Sequence, residues 1–149
     1  MNERLVPLNL PQPDLKMARK GNQPMVWDFI RKKYLKLTPE EWVRQHLVHY
    51  LISLAYPQTA IALEGGFKLL KQSRRTDILV YKNGQARMIV ECKSPQVRIS
   101  QATFDQAMQY NLHYQVPFIL ISNGLKHYTA KVEKESLQFL ESIPTYHEI

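Results

Sequence analysis

Apolar side chains recur at three- and four-residue steps from Trp42 through Val43, His46, Leu47, Tyr50, Leu51 and Leu54. Such a stripe is the face of a helix that docks on a sheet. The preceding Thr38-Pro39-Glu40-Glu41 supplies its start: Thr38 caps, proline suits the first helical position, and Glu41 stands where a capping box takes its carboxylate. The spacing predicts a helix that begins at Pro39 and has ended by Pro57. Upstream, Trp27, Ile30, Tyr34 and Leu37 are also spaced for one helical face, with Arg31, Lys32, Lys33 and Lys36 elsewhere, which predicts a short basic helix. Pro7, Pro11, Pro13 and Pro24 exclude a long helix or a central strand from residues 1–24. An extended N-terminal arm is expected there, ahead of a single domain over residues 25–149. Lys16, Arg19 and Lys20 on the arm either touch a phosphate backbone or belong to a segment that packs over the domain or a partner.

Beyond the helix the period changes. Ile61 and Leu63 alternate with their neighbours, a basic stretch runs from Lys68 to Arg75, and TDILVYKNGQARMIVECK forms a strand hairpin about Asn83-Gly84. Ser100 then caps a second helix over about Gln101 to Tyr114, with Ile99 and Phe104 placed as a hydrophobic staple. Pro117 to Ser122 is a short apolar run between turn signals, expected as a buried strand, and Asn123-Gly124 turns into a further strand. Ser136 to Ile143 fits a short helix or a strand. The order is helix, three strands, helix, two strands, and the fold class is α/β, a mixed central sheet with helices on both faces.

The chain of 149 residues, 44% hydrophobic and 22% charged, matches one soluble domain with enough apolar surface to fold without staples. Its net charge of +7 favours a polyanionic partner, with DNA the first to test. Cys92 is the only cysteine, so neither an internal disulfide nor a thiolate zinc cage is available. A cytoplasmic location is expected. No apolar run approaches the ~20 residues of a membrane span, so no membrane partner is expected. No phosphate-loop motif occurs, Gly65-Gly66 included.

Asp77 opens one strand of the hairpin, and Glu91-Cys92-Lys93 closes the next. Two carboxylates and an amine that are distant in sequence are thereby brought together. Mg²⁺ keeps several waters, so one or two carboxylates and a substrate phosphate suffice to hold it. Lys93, two residues past Glu91, points to the same strand face. Register sets a test. A plain two-residue Asn83-Gly84 loop would put Asp77 and Glu91 on opposite faces, so either a three-residue Lys82-Asn83-Gly84 loop or a bulge is predicted. The alternative for an acid-x-lysine pair is an ordinary solvated strand.

Asp77, the Glu91-x-Lys93 triplet and the element order resemble the PD-(D/E)XK nuclease superfamily. More closely, residues 25–146 resemble the N-terminal nuclease domain of type I restriction enzyme R subunits, through LTPEEWVRQHLVHYL, RRTDILVY, VECKSP, FDQAMQYN and ISNG. The resemblance implies a restriction-endonuclease-like core in αβββαβ order and a Mg²⁺-dependent DNA endonuclease, with Mn²⁺ as a substitute. It implies that Asp77, Glu91 and the backbone carbonyl of Cys92 bind the metal and that Lys93 positions the attacking water. Gln106 and Tyr110 match the QxxxY element and share a helical face, contacting DNA or the lysine. Arg74 and Arg75, with Lys68 and Lys71, form a positive approach for phosphates. Thr76 replaces the proline common before the first acid, and the helical acid that some members add is not clearly placed: Glu41, which a capping box explains equally well, and Glu64 on the first strand are the candidates. His46 and His49 lie a turn apart without a third ligand, and His46 is expected to pack. The Cys92 thiol is expected to be buried and inert. Two rival readings stay open, a catalytically silent nucleic-acid-binding module of the same fold and a module docking to a separate motor or specificity subunit. A homo-oligomer is also open.

Overall fold

The computed structural model describes residues 5–63, 66–69, 72–75, 77–134 and 136–149, by backbone at 66–69 and 72–75. Strands β1 (Met17–Lys20), β2 (Gln23–Asp28) and β3 (Lys33–Lys36) form an antiparallel meander in that order. The segment expected as a basic helix is therefore a hairpin. The spacing of Trp27 and Tyr34 fits a helical face, and it fits cross-strand partners about a short turn equally well. Asp28 decides: its Oδ1 accepts the amides of Ile30 and Arg31, each at 2.9 Å, and so satisfies the turn that a helix would not make. Lys32 takes the left-handed conformation (φ 55°), and the Trp27 and Tyr34 rings meet edge to face at 5.1 Å.

The arm boundary expected after residue 24 runs through β2, and the residues before it are tied down. The Trp42 indole donates to the Val6 carbonyl at 2.9 Å. The Asn9 amide donates to the Gly124 carbonyl at 2.8 Å, and Leu8 and Leu10 pack on the core.

Helix α1 spans Pro39–Ser53, with the Thr38 hydroxyl accepting the Glu41 amide at 3.0 Å. After it come β4 (Ile61–Leu63), β5 (Gly66–Leu69), β6 (Gln72–Arg75), β7 (Ile78–Lys82) and β8 (Gln85–Cys92). Helix α2 (Gln101–Tyr114) follows, then β9 (Phe118–Ser122), β10 (His127–Glu133) and β11 (Ser136–Leu140). Thus the basic stretch holds a two-stranded sheet of its own, β5–β6, and the unassigned Ser136 segment is a strand. The remaining strands make a mixed sheet in the order β4-β7-β8-β9-β10-β11, in which only β8 and β9 run parallel. A parallel pair needs a long crossover, and α2 supplies it.

Alternation along β7 and β8 divides the core in two. Ile78, Val80, Met88, Val90 and Cys92 pack with Val43, Leu47 and Leu51 of α1. Leu79, Ile89, Ile119 and Ile121 pack with Phe104, Ala107 and Tyr110 of α2. Ser100 begins α2 in a capping box with Thr103, and Ile99 joins the cluster that holds Phe104. Among the described residues, no helix is long and apolar enough to cross a membrane.

The β7–β8 turn has two residues, Asn83 (φ 53°) and Gly84 (φ 76°), not three. Lys82 pairs with Gln85 and Tyr81 with Ala86, but the register then slips between Val80 and Tyr81. Past the slip, Val80 faces Met88, Leu79 faces Ile89 and Ile78 faces Val90. Arg87 is the surplus residue of a β-bulge.

Candidate active site

The bulge restores the parity that the two acids require. The ladder ends at the Ile78–Val90 pair, and one further step in that register brings Asp77, in the bend before β7, level with Glu91. The Lys93 amide donates to the Ser122 carbonyl at 2.8 Å, so the extended path continues past β8 and Lys93 keeps the face of Glu91.

The carboxylates differ in their surroundings. Asp77 is held at both oxygens: Oδ2 accepts the Cys92 amide at 2.7 Å, and Oδ1 accepts Nη2 of Arg44 at 2.6 Å. Glu91 is 7% exposed, and its Oε1 is buried with no hydrogen-bond partner. Leaving a buried carboxylate oxygen unpaired is costly. Burial, and next the neighbouring charge of Asp77, push the Glu91 carboxyl up to about 8, while Lys93 pulls the other way.

Arg44 joins this site to the rest of α1. It pairs with Glu41 at 2.6 Å, Asp77 at 2.6 Å and Glu40 at 3.0 Å. Burial disfavours its charge, but Asp77 foremost outweighs that and keeps the guanidinium protonated. Glu41 in turn pairs with Arg31 at 2.9 Å, and Arg31 with Asp28 at 2.7 Å. Asp28 also accepts from Gln45 at 3.2 Å. A line of alternating charges thus runs from the meander through α1 to Asp77. Glu41 gives its carboxylate to this line, not to a reciprocal capping box. Glu40 instead is the α1 acid whose carboxyl is raised, by burial and then by Asp77.

Sequence reasoning passed over Arg44 and Glu40. A signal was present: the two are spaced one helical turn apart, and Arg44 adjoins the apolar stripe at Val43 and Leu47, where a charge needs partners. Of the other candidates, Gln106 is exposed on α2, whereas Tyr110 is 8% exposed and packs in the α2 core. The two share a helix but not an environment. Glu64 and Lys71 lie outside the described residues. Arg74 and Arg75 stand on β6 opposite Phe67 and Gly66, and their side chains, with that of Lys68, lie outside the description. His46 is buried, with Nδ1 2.8 Å from the Trp42 carbonyl, and its ring meets Trp42, while His49 meets Phe29. The Cys92 thiol is buried among the α1-side core, and burial raises it well above its ordinary range.

Among the described residues, no group of three or more His, Cys, Asp or Glu side chains could hold a metal ion. Two carboxylates, one with an unpaired buried oxygen, nevertheless match what Mg²⁺ takes from a protein when waters fill its other positions. The donor set fits a hard divalent cation.

The family model for the type I restriction enzyme R protein N terminus (HSDR_N) matches residues 39–144. That span runs from the first residue of α1 past the end of β11. Comparison with curated proteins and with solved structures gave no match.

Proposed function

The chain belongs to the type I restriction enzyme R protein N-terminal family, and on that footing we propose that it is a Mg²⁺-dependent DNA endonuclease of the PD-(D/E)XK kind. The observation that carries the reading is Glu91, buried with an unpaired Oε1 one residue past the Ile78–Val90 pair of a bulged ladder and within electrostatic reach of Asp77. Counting only strands of the central sheet, α1, β4, β7, β8, α2 and β9 follow one another, an order that supports a restriction-endonuclease-like core.

Asp77, Glu91 and the Cys92 carbonyl would hold Mg²⁺, or Mn²⁺ in its place. Such an ion, when bound, polarises a phosphoryl oxygen and acidifies a coordinated water. Lys93 orients the water whose oxygen attacks phosphorus as the P–O bond to the leaving strand breaks. Arg44 fixes the Asp77 carboxylate, and the Cys92 amide fixes its other oxygen, so Asp77 meets its ligand pre-oriented. Gln106 is placed at the solvent side of α2 to contact DNA. A motor and a specificity subunit are the partners this reading implies besides DNA.

Supercoiled plasmid incubated with wild type and Mg²⁺ or Mn²⁺ should be nicked, and Lys93→Ala should lose at least about tenfold in rate, the scale of one positioned catalytic group. Equal nicking by both proteins, or none by wild type in either metal, removes the assignment.

A further inference from the structure

We infer that the solvent face of the β1–β3 meander, which precedes the family-matched span, is a binding site for the phosphate backbone of duplex DNA. Between Asp14 and Leu37 the chain carries seven Lys and Arg against two Asp. One of those acids, Asp28, is buried and committed to Arg31. Lys16, Arg19, Lys20, Lys32, Lys33 and Lys36 are all exposed.

Register sorts them. Lys16 bonds through its carbonyl to the Trp27 amide, Lys20 faces Gln23, Lys36 faces Met25, and Tyr34 faces Trp27. Alternation puts Lys16, Lys20 and Lys36 on one face with Trp27 and Tyr34, and puts fully buried Val26 and Asp28 on the other. The ammonium of Lys16 lies 5.4 Å from the Trp27 ring and 5.8 Å from that of Tyr34. These three exposed amines surround an aromatic pair, have no carboxylate partner among the described residues, and are free to meet solvent anions.

Position supplies the second argument. A cleft of about 1130 Å³ is lined by Lys20 and Lys36 together with Thr38 and Pro39 at the start of α1. The next residue is Glu40, which pairs with the Arg44 that grips Asp77. At the candidate active site Arg44 is committed to Glu40, Glu41 and Asp77, so it offers the approaching phosphodiester little free positive charge. Cations at the near end of α1 supply that charge and would lead the strand toward Asp77. The inference rests on the reading of DNA as substrate.

The test is binding of a short fluorescein-labelled DNA duplex, followed by anisotropy in EDTA over about 50 to 200 mM salt. Lys20→Gln/Lys36→Gln should lower affinity at least about tenfold at 0.1 M salt and reduce the slope of log K against log salt by about 2, at roughly 0.9 per phosphate contact. Lys131→Gln/Lys134→Gln removes the same charge at the end of the sheet away from Ser122 and should leave the slope near that of wild type. Equal losses in both pairs would reduce the effect to net charge and overturn the site. So would unchanged binding by the Lys20/Lys36 pair, or capture of the protein by phosphatidylserine vesicles without duplex binding. Because no divalent cation is present, failure here beside normal plasmid nicking removes only this site, and a normal result here beside absent nicking removes only the nuclease.

Discussion

The two faces of the central sheet solve burial in different ways. Against α2 the seam is apolar, with Phe104, Ala107 and Tyr110 on Leu79, Ile89, Ile119 and Ile121. Against α1 an apolar seam of Val43, Leu47 and Leu51 passes into ions at the helix start, where Glu41, Arg44 and Gln45 are buried as well. The apolar solution stabilises through area removed from water. The ionic one carries a desolvation cost that its attractions only partly offset, so it is weak as a stabilising device. Its value lies in orientation: Asp77 is gripped, and the helix is locked in the register that does so. The α2 seam holds the sheet, whereas the start of α1 holds Asp77.

The widest gap between the faces should open at Arg44. Arg44→Ala leaves Glu41 and Asp77 without their shared cation and should cost about 3–5 kcal/mol in urea denaturation. Adding Asp77→Asn should return part of that loss, a coupling that a purely local packing defect would not produce. An additive pair would dissolve the distinction between the faces.

Glu91 gives the next largest effect. Its carboxyl titrates near 8 in the fold against an ordinary value of 4.5, so between those limits the folded state holds the proton that the unfolded chain releases. Stability from this group is therefore complete below about pH 4.5 and falls as pH rises toward 8. Glu91→Gln removes the slope: it should match wild type near pH 5 and exceed it by about 1–4 kcal/mol at pH 8 without metal. The difference between the two proteins isolates Glu91 from His46 and His49, whose lowered values, set by burial, act in the opposite sense. A gap independent of pH would mean that the oxygen is not isolated.

The smallest effects concern the cap of α1 and the outer side of α2. Thr38→Ala should cost about 1 kcal/mol through the lost cap, and Leu112→Ser on the exposed side of α2 should stay within about 0.5 kcal/mol. Thermal midpoints would rank them, and a larger loss at Leu112 would show that the α2 face is not finished on its outer side.

Much of this was legible before any coordinates. Helix α1 was readable because Thr38-Pro39 is local chemistry, and α2 because the Ser100 cap and the Ile99–Phe104 staple agree. The pairing of Asp77 with Glu91 was readable as a condition, since strand parity is arithmetic; whether a loop or a bulge would meet it was not, because a slip of one residue leaves no mark on composition. The β2–β3 hairpin was misread since Trp27 and Tyr34 satisfy two periods, and the deciding contact is a side chain on a backbone amide. Arg44 was passed over for a different reason. Its partners Glu41 and Asp77 come from separate elements, and only the fold brings a charge on α1 to the end of β7.

Placing a surplus residue at Arg87 lets one hairpin obey two masters. Asn83 and Gly84 dictate a tight reversal at one end, and paired acids dictate the opposite parity at the other, so the misfit is absorbed midway along the ribbon. The reversal can consequently be lengthened or recoded, provided the ladder below the slip stays intact, without moving Glu91 away from Asp77.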